Sequence, residues 1–275
     1  MIYEECALNE DITDFETYFE QFKECNLGQC VLLEGKDVDK MMGLCKRGNL
    51  KLLAPLIQRS KDKNPGDKDK YTILHCATEH GHLNIVQYLL PLLKNKLPKT
   101  GLRTLSNGFT VRSETPLHLA TRNGHLSIIE FMVPHLNGDI NPAKGDGKTV
   151  LHLAAFHGHP NIVAFYTTSN LDNLNPGMIS NDAFRGRTPL HYAAQQGHLE
   201  VVKHLCNLLQ DKNPSDDNEH TPLHIAAERG HIDIVKYLVQ FLDNKHPKTA
   251  NNSETPLDKA KKKGHTEIVN FLKNL

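Results

Sequence analysis

The chain has 275 residues, of which 39% are apolar, so either one large domain or two ordinary ones could bury a core. Lys plus Arg and Asp plus Glu each total 32, which removes the usual electrostatic argument for a dedicated nucleic-acid-binding protein. The longest apolar stretches, such as residues 85–93, fall short of the roughly 20 residues that a membrane-spanning helix needs. We therefore predict a globular protein without a membrane span.

The N-terminal segment is acidic. The first 24 residues hold eight Asp and Glu residues against the single basic residue Lys23, the opposite of the basic start of a secretory signal. This favours a cytoplasmic location, with the nucleus as the alternative. Within the segment, residues 11–26 carry Phe15, Tyr18, Phe19 and Phe22 at helical spacing, which predicts an amphipathic helix that covers the start of the next unit.

The six cysteines form no CxxC pair and are spread thinly through a chain too long to depend on disulfides. We therefore expect reduced thiols. Cys76 stands where related segments of the chain carry Leu or Ile, so we interpret it as a packing residue rather than a nucleophile.

A six-residue pattern, Thr-Pro-Leu-His-x-Ala or a close variant, recurs six times, and each copy is followed by Gly-His at a fixed offset. The copies begin at Thr72, Thr115, Thr149, Thr188, Thr221 and Thr255. A fixed register of this kind is typical of a repeat architecture. The last copy differs, because Asp258 replaces the histidine and four lysines lie within residues 259–263, as expected of a solvent-facing end.

Each copy predicts a helix pair. Thr is a favourable N-cap, Pro suits the first helical position, and the histidine three residues after Thr can bond back to the capping turn as the acid of a capping box does. The glycine suits the left-handed residue that ends the first helix. A second, amphipathic helix follows, and neither helix can bury its apolar face unless the pairs stack on one another.

These residues and their spacing of about 33 resemble the ankyrin repeat. The resemblance covers six clear copies in residues 68–275, and residues 38–57 resemble a degenerate first copy in which Gly48-Asn49-Leu50 replaces Gly-His-Leu. It implies an all-α solenoid of stacked helix pairs joined by β-hairpin fingers. The implied organisation is an N-terminal acidic capping segment, residues 1–37, followed by an ankyrin repeat domain, residues 38–275.

Two fingers are longer than the others. One insertion lies within residues 94–113 and carries five basic residues without an acid, and the second lies within residues 169–186. Long loops often carry function, but loops also tolerate insertions at little energetic cost, and the sequence leaves both interpretations open.

Catalytic and metal-binding motifs are absent from the sequence. Eleven of the 17 histidines occupy the two repeat positions, where hydrogen bonds to neighbouring turns explain them better than a zinc site does. We find no Walker loop, GxGxxG, HExxH or GxSxG motif. The sequence therefore predicts no catalytic residue, no cofactor and no metal. The lysine-rich residues 259–263 could form a nucleic-acid patch or import signal, but a solvated helix face is the favoured interpretation.

The ankyrin resemblance implies that residues just before each Thr and just before each Gly-His line a concave, partner-binding face. Phe156 and Phe184, with the neighbouring arginines, have the composition of an interface hot spot. The candidate residues are Tyr71, Arg122, Asn123, Lys148, Phe156, His157, Phe184, Arg185, Arg187, Gln195, Gln196, His220 and Arg229.

Taken together, these features predict a non-catalytic protein–protein interaction scaffold, adaptor or inhibitor that acts as a monomer on a protein partner. The alternative is a regulatory ankyrin module of a larger signalling or channel assembly, although Met1 and the lysine-rich last copy favour a complete protein. A third hypothesis, a nucleic-acid-facing regulator, requires salt-sensitive binding to DNA or RNA.

Overall fold

The computed structural model describes residues 36–101, 103–104, 110–111, 113–136, 140–169 and 186–275. The predicted helix over residues 11–26 and most of the second insertion lie outside these residues. Within them, seven helix pairs follow one another: α1 (Lys36–Lys46) and α2 (Leu50–Arg59), α3 (Ile73–Glu79) and α4 (Leu83–Leu89), α5 (Pro116–Arg122) and α6 (Leu126–Met132), α7 (Val150–His157) and α8 (Pro160–Ser169), α9 (Pro189–Gln196) and α10 (Leu199–Leu208), α11 (Pro222–Arg229) and α12 (Ile232–Leu238), and α13 (Pro256–Lys263) and α14 (Thr266–Lys273).

The predicted capping arrangement is confirmed at the start of the first helix in all six clear copies. In the second copy, the Thr72 amide donates to Nδ1 of His75 at 3.1 Å, and the Thr72 hydroxyl lies 2.9 Å from the same nitrogen. In the last copy, Oδ2 of Asp258 accepts the Thr255 amide and hydroxyl at 3.2 and 2.7 Å. Imidazole and carboxylate therefore both supply the acceptor that this capping turn uses.

Stacking of the pairs confirms the all-α solenoid. Successive first helices pack in one row and successive second helices in another, and the first helices pack more closely. The array therefore curves toward the first helices, which line its concave side. The degenerate first copy is part of the array, since α1 packs on α3 and buries Met41, while α2 packs on α4 and buries Leu53 and Ile57.

The short fingers do not form the expected β-hairpins. Those before Thr72 and Thr149 are turns closed by single β-bridges, and in the described residues paired strands occur in the first lengthened finger, β1 (Arg103–Thr104) with β2 (Thr110–Val111). The physical reason is visible at Asp67, whose Oδ1 accepts the amides of Asp69 and Tyr71, each at 2.9 Å. The Asp67 carboxylate therefore accepts hydrogen bonds from backbone amides that would otherwise be available to a second strand.

The glycine of each Gly-His motif is required for two reasons. Its φ lies between 69° and 86° in all seven copies, in the left-handed region that side chains disfavour. In addition, a Cβ at Gly197 would lie 2.6 Å from Cε1 of His231 in the next repeat, whereas a Cβ at Gly264 in the last copy would meet no atom within 4 Å.

These two glycines form a matched pair for measurement. We expect Gly264→Ala to lower the free energy of unfolding by about 1–2 kcal/mol, the cost of left-handed backbone alone. Gly197→Ala should lose clearly more, because the ring of His231 must also move. Chemical denaturation of both variants checks this expectation. Equal losses would show that the contact between repeats has no energetic consequence.

The first lengthened finger has the same hydrogen bonds at its base as the finger before the last copy, which carries no insertion. Thr100 and Thr249 each donate their amide to the carbonyl of the glutamate before the next Thr, at 3.0 and 3.1 Å, and each hydroxyl accepts the amide of that glutamate, at 3.1 and 3.2 Å. Both threonines are buried. The insertion therefore lies between Gly101 and Ser113, and Thr100 belongs to the repeat.

We expect this insertion to be dispensable for folding. Replacing residues 101–112 with Ala-Asn-Asn, the sequence of residues 250–252, should change the free energy of unfolding by less than about 1 kcal/mol, because the bonds of Thr100 are retained. Thr100→Val in the unaltered chain is the control, and it should be more harmful because it leaves the buried Glu114 amide without its acceptor. Urea denaturation of both proteins measures the difference.

Candidate protein-binding surface

Four of the five histidines of the Thr-Pro-Leu-His pattern join their repeat to the next. Because Nδ1 accepts the Thr amide, the ring proton must lie on Nε2, which donates to a carbonyl in the following finger. His152 Nε2 lies 3.1 Å from the Arg187 carbonyl, and His191 Nε2 lies 3.0 Å from the His220 carbonyl. His75 and His224 make the equivalent bonds to the carbonyls of Glu114 and Glu254, both at 3.1 Å.

The histidines of the Gly-His motifs bond in the opposite direction, to the last turn of the preceding first helix. His159 Nε2 lies 3.1 Å from the Arg122 carbonyl, and His198 Nε2 lies 3.0 Å from that of Phe156. His231 binds the Gln195 carbonyl at 3.2 Å. The backbone of the candidate residues is thus held by side chains from neighbouring repeats, which fixes the face that these residues line.

Burial keeps three of the capping histidines neutral. It lowers the pKa of His118 to about 3, with the nearby charge of Lys144 acting in the same direction. It also lowers the pKa of His191 and of His224 to about 4, although the backbone carbonyls of His220 and Glu254 partly oppose the shift. Protonation would turn Nδ1 into a donor facing the Thr amide, so the charged ring is incompatible with the capping turn.

The protein should therefore lose stability in mild acid. Since these pKa values lie below the unfolded value of about 6.5, the unfolded chain binds more protons, and stability is complete above that pH and falls as pH drops toward 4. Each such histidine contributes a slope of up to about 1.4 kcal/mol per pH unit in this window. Urea denaturation between pH 7.5 and 4.5 measures the slope.

A matched pair of variants tests the origin of that slope. His191→Asn should reduce it by the share of one histidine, whereas His135→Asn, at an exposed position, should leave it unchanged. An unaltered slope in His191→Asn would assign the acid sensitivity to other groups.

Asparagine supplies a further cap that the sequence analysis missed. Asn64 Oδ1 accepts the amide of Leu74 at 2.8 Å, and Asn141 and Asn213 bond in the same way to Leu151 and Leu223, at 3.0 and 3.1 Å. These three asparagines, each followed by proline in the sequence, thus tie the base of their finger to the following helix. The available signal was an asparagine ten residues before the leucine of the pattern.

An aromatic and cationic patch lies at the centre of the face. The half-buried Phe156 ring packs edge-on against Tyr192 at a centroid separation of 5.9 Å and against His157 at 5.0 Å. Lys148 Nζ lies 5.5 Å from the Tyr192 centroid. We call Lys148, Phe156, His157 and Tyr192 the central patch. Tyr192 was not predicted from the sequence, because the other inner copies carry Cys, Leu or Ile at its position.

Two arginines predicted as hot-spot donors are bound within the protein. Arg122 pairs with Glu114, and Arg187 Nε lies 3.2 Å from Oδ2 of Asp216. Both carboxylates are fully buried, and the Arg187 side chain is only 11% exposed. Removing Arg187 would leave the buried Asp216 carboxylate without its cation, and removing Arg122 would leave Glu114 with Lys144 at 3.8 Å, so both arginines have a structural role.

A buried lysine extends this charge network. Lys144, whose side chain is 8% exposed, lies 3.2 Å from Asp146 and 3.8 Å from Glu114. Burial lowers the pKa of Lys144. Burial alone would raise the pKa of Asp146, but Lys144 and Lys148 together hold it below its usual value. Each charge in this finger therefore has an internal counter-charge.

The other candidate residues differ in accessibility. Asn123, Gln196 and Arg229 are exposed near the ends of three first helices, and Gln195 and His220 are half-buried. Tyr71 is buried, and its hydroxyl donates to Glu79. Phe184 and Arg185 lie outside the described residues, so their place beside Phe156 stays a prediction.

The lysine-rich last copy is also internally paired. Lys259 and Lys262 lie 2.8 and 3.3 Å from Glu254, and Lys261 and Lys263 lie 3.5 and 3.7 Å from Asp258 and Glu228. In the part of the chain that the structure describes, no cluster of three or more His, Cys, Asp or Glu residues is arranged to hold a metal ion. None of the described helices has the length and apolar character needed to span a membrane.

Comparison with known families agrees with this architecture. A family model described as ankyrin repeats in three copies matches overlapping segments at residues 26–99, 41–141, 92–173, 137–216, 167–249 and 206–275. The chain therefore belongs to the ankyrin repeat family, whose members are generally protein–protein interaction modules and typically non-catalytic scaffolds. A search of curated proteins found no match.

Proposed function

We propose that this protein is a non-catalytic adaptor or inhibitor that binds one protein partner through the centre of its concave face. The central patch carries this proposal, because it combines a partly accessible aromatic ring with hydrogen-bonding groups on backbone held by the histidine bonds. Aromatic side chains surrounded by ordered polar groups are frequent binding hot spots.

The charge pairing around the patch favours a particular kind of partner. Arg122, Arg187 and Lys148 each neutralise a carboxylate of this chain, and burial lowers the pKa of His157 to about 4, so that ring is neutral at pH 7. A run of acids would therefore find few unpaired cations here. A segment with one apolar anchor flanked by hydrogen-bonding groups, able to reach Asn123 and Gln196, fits better.

The proposal extends to the location, oligomeric state and domain organisation of the protein. We place the protein in the cytoplasm as a monomer, with residues 1–37 as an acidic cap and residues 38–275 as the repeat domain. The local pairing of the lysine-rich last copy weighs against the nucleic-acid hypothesis. A regulatory module within a larger assembly is the alternative function, and such an assembly would present the same concave face.

The test compares two phenylalanine substitutions on opposite sides of the array. Phe156→Ala removes the ring of the central patch, and Phe241→Ala removes a ring of the same size that is 46% exposed beside the second helices. Partners are captured with the intact chain and identified by quantitative mass spectrometry, and the affinity of each purified partner is then measured. Phe156→Ala should weaken binding tenfold or more, and Phe241→Ala should not.

Unfolding curves of both variants separate binding from stability. The proposal holds if Phe156→Ala remains folded at the assay temperature and loses its partner. A partner that binds both variants as tightly as the parent would locate recognition away from the central patch.

A further inference from the structure

Two cysteines face each other across the junction between the first two repeats. Cys45 lies in the last turn of α1 and Cys76 lies in α3, and both are fully buried. Cys45 Sγ lies 3.5 Å from the carbonyl of Ile73 in the second repeat, and Cys76 Sγ lies 3.8 Å from the carbonyl of Met42 in the first. Ile73 lies three residues before Cys76 and Met42 lies three residues before Cys45, so each sulfur lies against the helical turn that carries the other cysteine. The two sulfurs are therefore neighbours although they belong to different repeats.

This junction lacks the forward histidine bond that His75, His152, His191 and His224 make in later copies. Counting back from the glycine, Met42 stands at the position of that histidine. Of the two kinds of histidine bond, the first and second copies keep the reverse one, from His82 Nε2 to the Lys46 carbonyl at 3.0 Å. In a linear array, a weakly joined end copy opens at a lower free-energy cost than a central one, which gives reagents access to its interface.

The two thiols are chemically unequal. Interaction with the Cys45 thiol lowers the pKa of Cys76, with the nearby charge of Lys46 acting in the same direction, and the same interaction raises the pKa of Cys45. The exposed ring of His80 also lies over Cys76, with Nδ1 3.9 Å from Sγ. Cys76 is thus suited to attack an oxidant, and Cys45 is placed to resolve the product.

We propose that Cys45 and Cys76 are an oxidant-responsive pair that forms a disulfide between the first and second repeats in the presence of hydrogen peroxide. The bond supplies a covalent link at the junction that lacks the forward histidine bond. Oxidation then fixes the first helix pair on the array, and reduction by a thiol releases it.

The chemistry takes two steps. The Cys76 thiolate attacks one oxygen of the peroxide, the O–O bond breaks, and Cys76 becomes a sulfenic acid as the departing hydroxide takes up a proton to form water. The Cys45 sulfur then attacks the sulfenic sulfur and loses its proton to the departing hydroxide, which leaves as a second water. Two thiols are oxidised by two electrons, and one peroxide molecule is reduced to two waters.

The experiment treats the full chain with hydrogen peroxide, blocks remaining thiols with N-ethylmaleimide, and maps peptides without reduction. We expect a peptide pair linked through Cys45 and Cys76 and a mass loss of two hydrogens. Cys206 should be recovered alkylated, because burial raises its pKa to about 11 and no other thiol of the described residues lies beside it. Links made mainly to Cys6, Cys25 or Cys30, or overoxidation of Cys76 without a link, would overturn the proposal.

Variants and a dynamic measurement complete the test. Cys45→Ser should abolish the linked peptide and leave a Cys76 sulfenic acid that dimedone traps, whereas Cys206→Ser should form the link as the parent does. If Cys45→Ser does not fold, the peptide map of the oxidised parent protein still tests whether the two cysteines become linked. Native-state hydrogen exchange of α1 should slow tenfold or more on oxidation and recover with dithiothreitol. Unchanged exchange in the linked protein would show that the bond does not hold the first repeat.

Discussion

The position of a single proton on the capping histidine couples one repeat to the next at His75, His152, His191 and His224. Because the Thr amide uses Nδ1, the proton lies on Nε2, and Nε2 has its acceptor in the following repeat. One ring therefore completes the N-terminal cap of its own helix and joins that helix to the next finger. Local helix formation and long-range stacking are thus coupled through one neutral side chain, so neither is complete without the other.

The same bonds create the candidate binding face. His159, His198 and His231 each bond to a backbone carbonyl in the preceding repeat. The carbonyl belongs to the residue two positions before the glycine of that repeat's Gly-His motif. Side chains at these positions can vary without loss of the backbone bonds. A rigid backbone that carries variable side chains reduces the entropy lost on binding. Phe156 and Gln195 show this division, since their carbonyls accept the histidine bonds and their side chains take no part in them.

The sequence predicted those features that depend on a single repeat and its register. The Thr-His cap, the left-handed glycine and the degenerate first copy follow from spacing and from local backbone chemistry. Features that depend on the neighbouring finger were not predictable. Arg187 could be placed near the concave face, but its pairing with the buried Asp216 requires the position of a residue 29 places further along the chain. The prediction of β-hairpins was wrong for the short fingers for a different reason. An aspartate side chain there accepts hydrogen bonds from the same amides that a second strand would pair with.

The neutrality of the histidine bonds has a consequence for the response of the array to ionic strength. Salt screens interactions between charges, and it acts most strongly on exposed pairs such as Lys236 with Glu267. The histidine bonds between repeats join uncharged imidazoles to partly buried carbonyls, and mobile ions have no charge there to screen. This share of the cohesion of the solenoid is therefore independent of the salinity of its surroundings, whereas the exposed ion pairs between repeats vary with it.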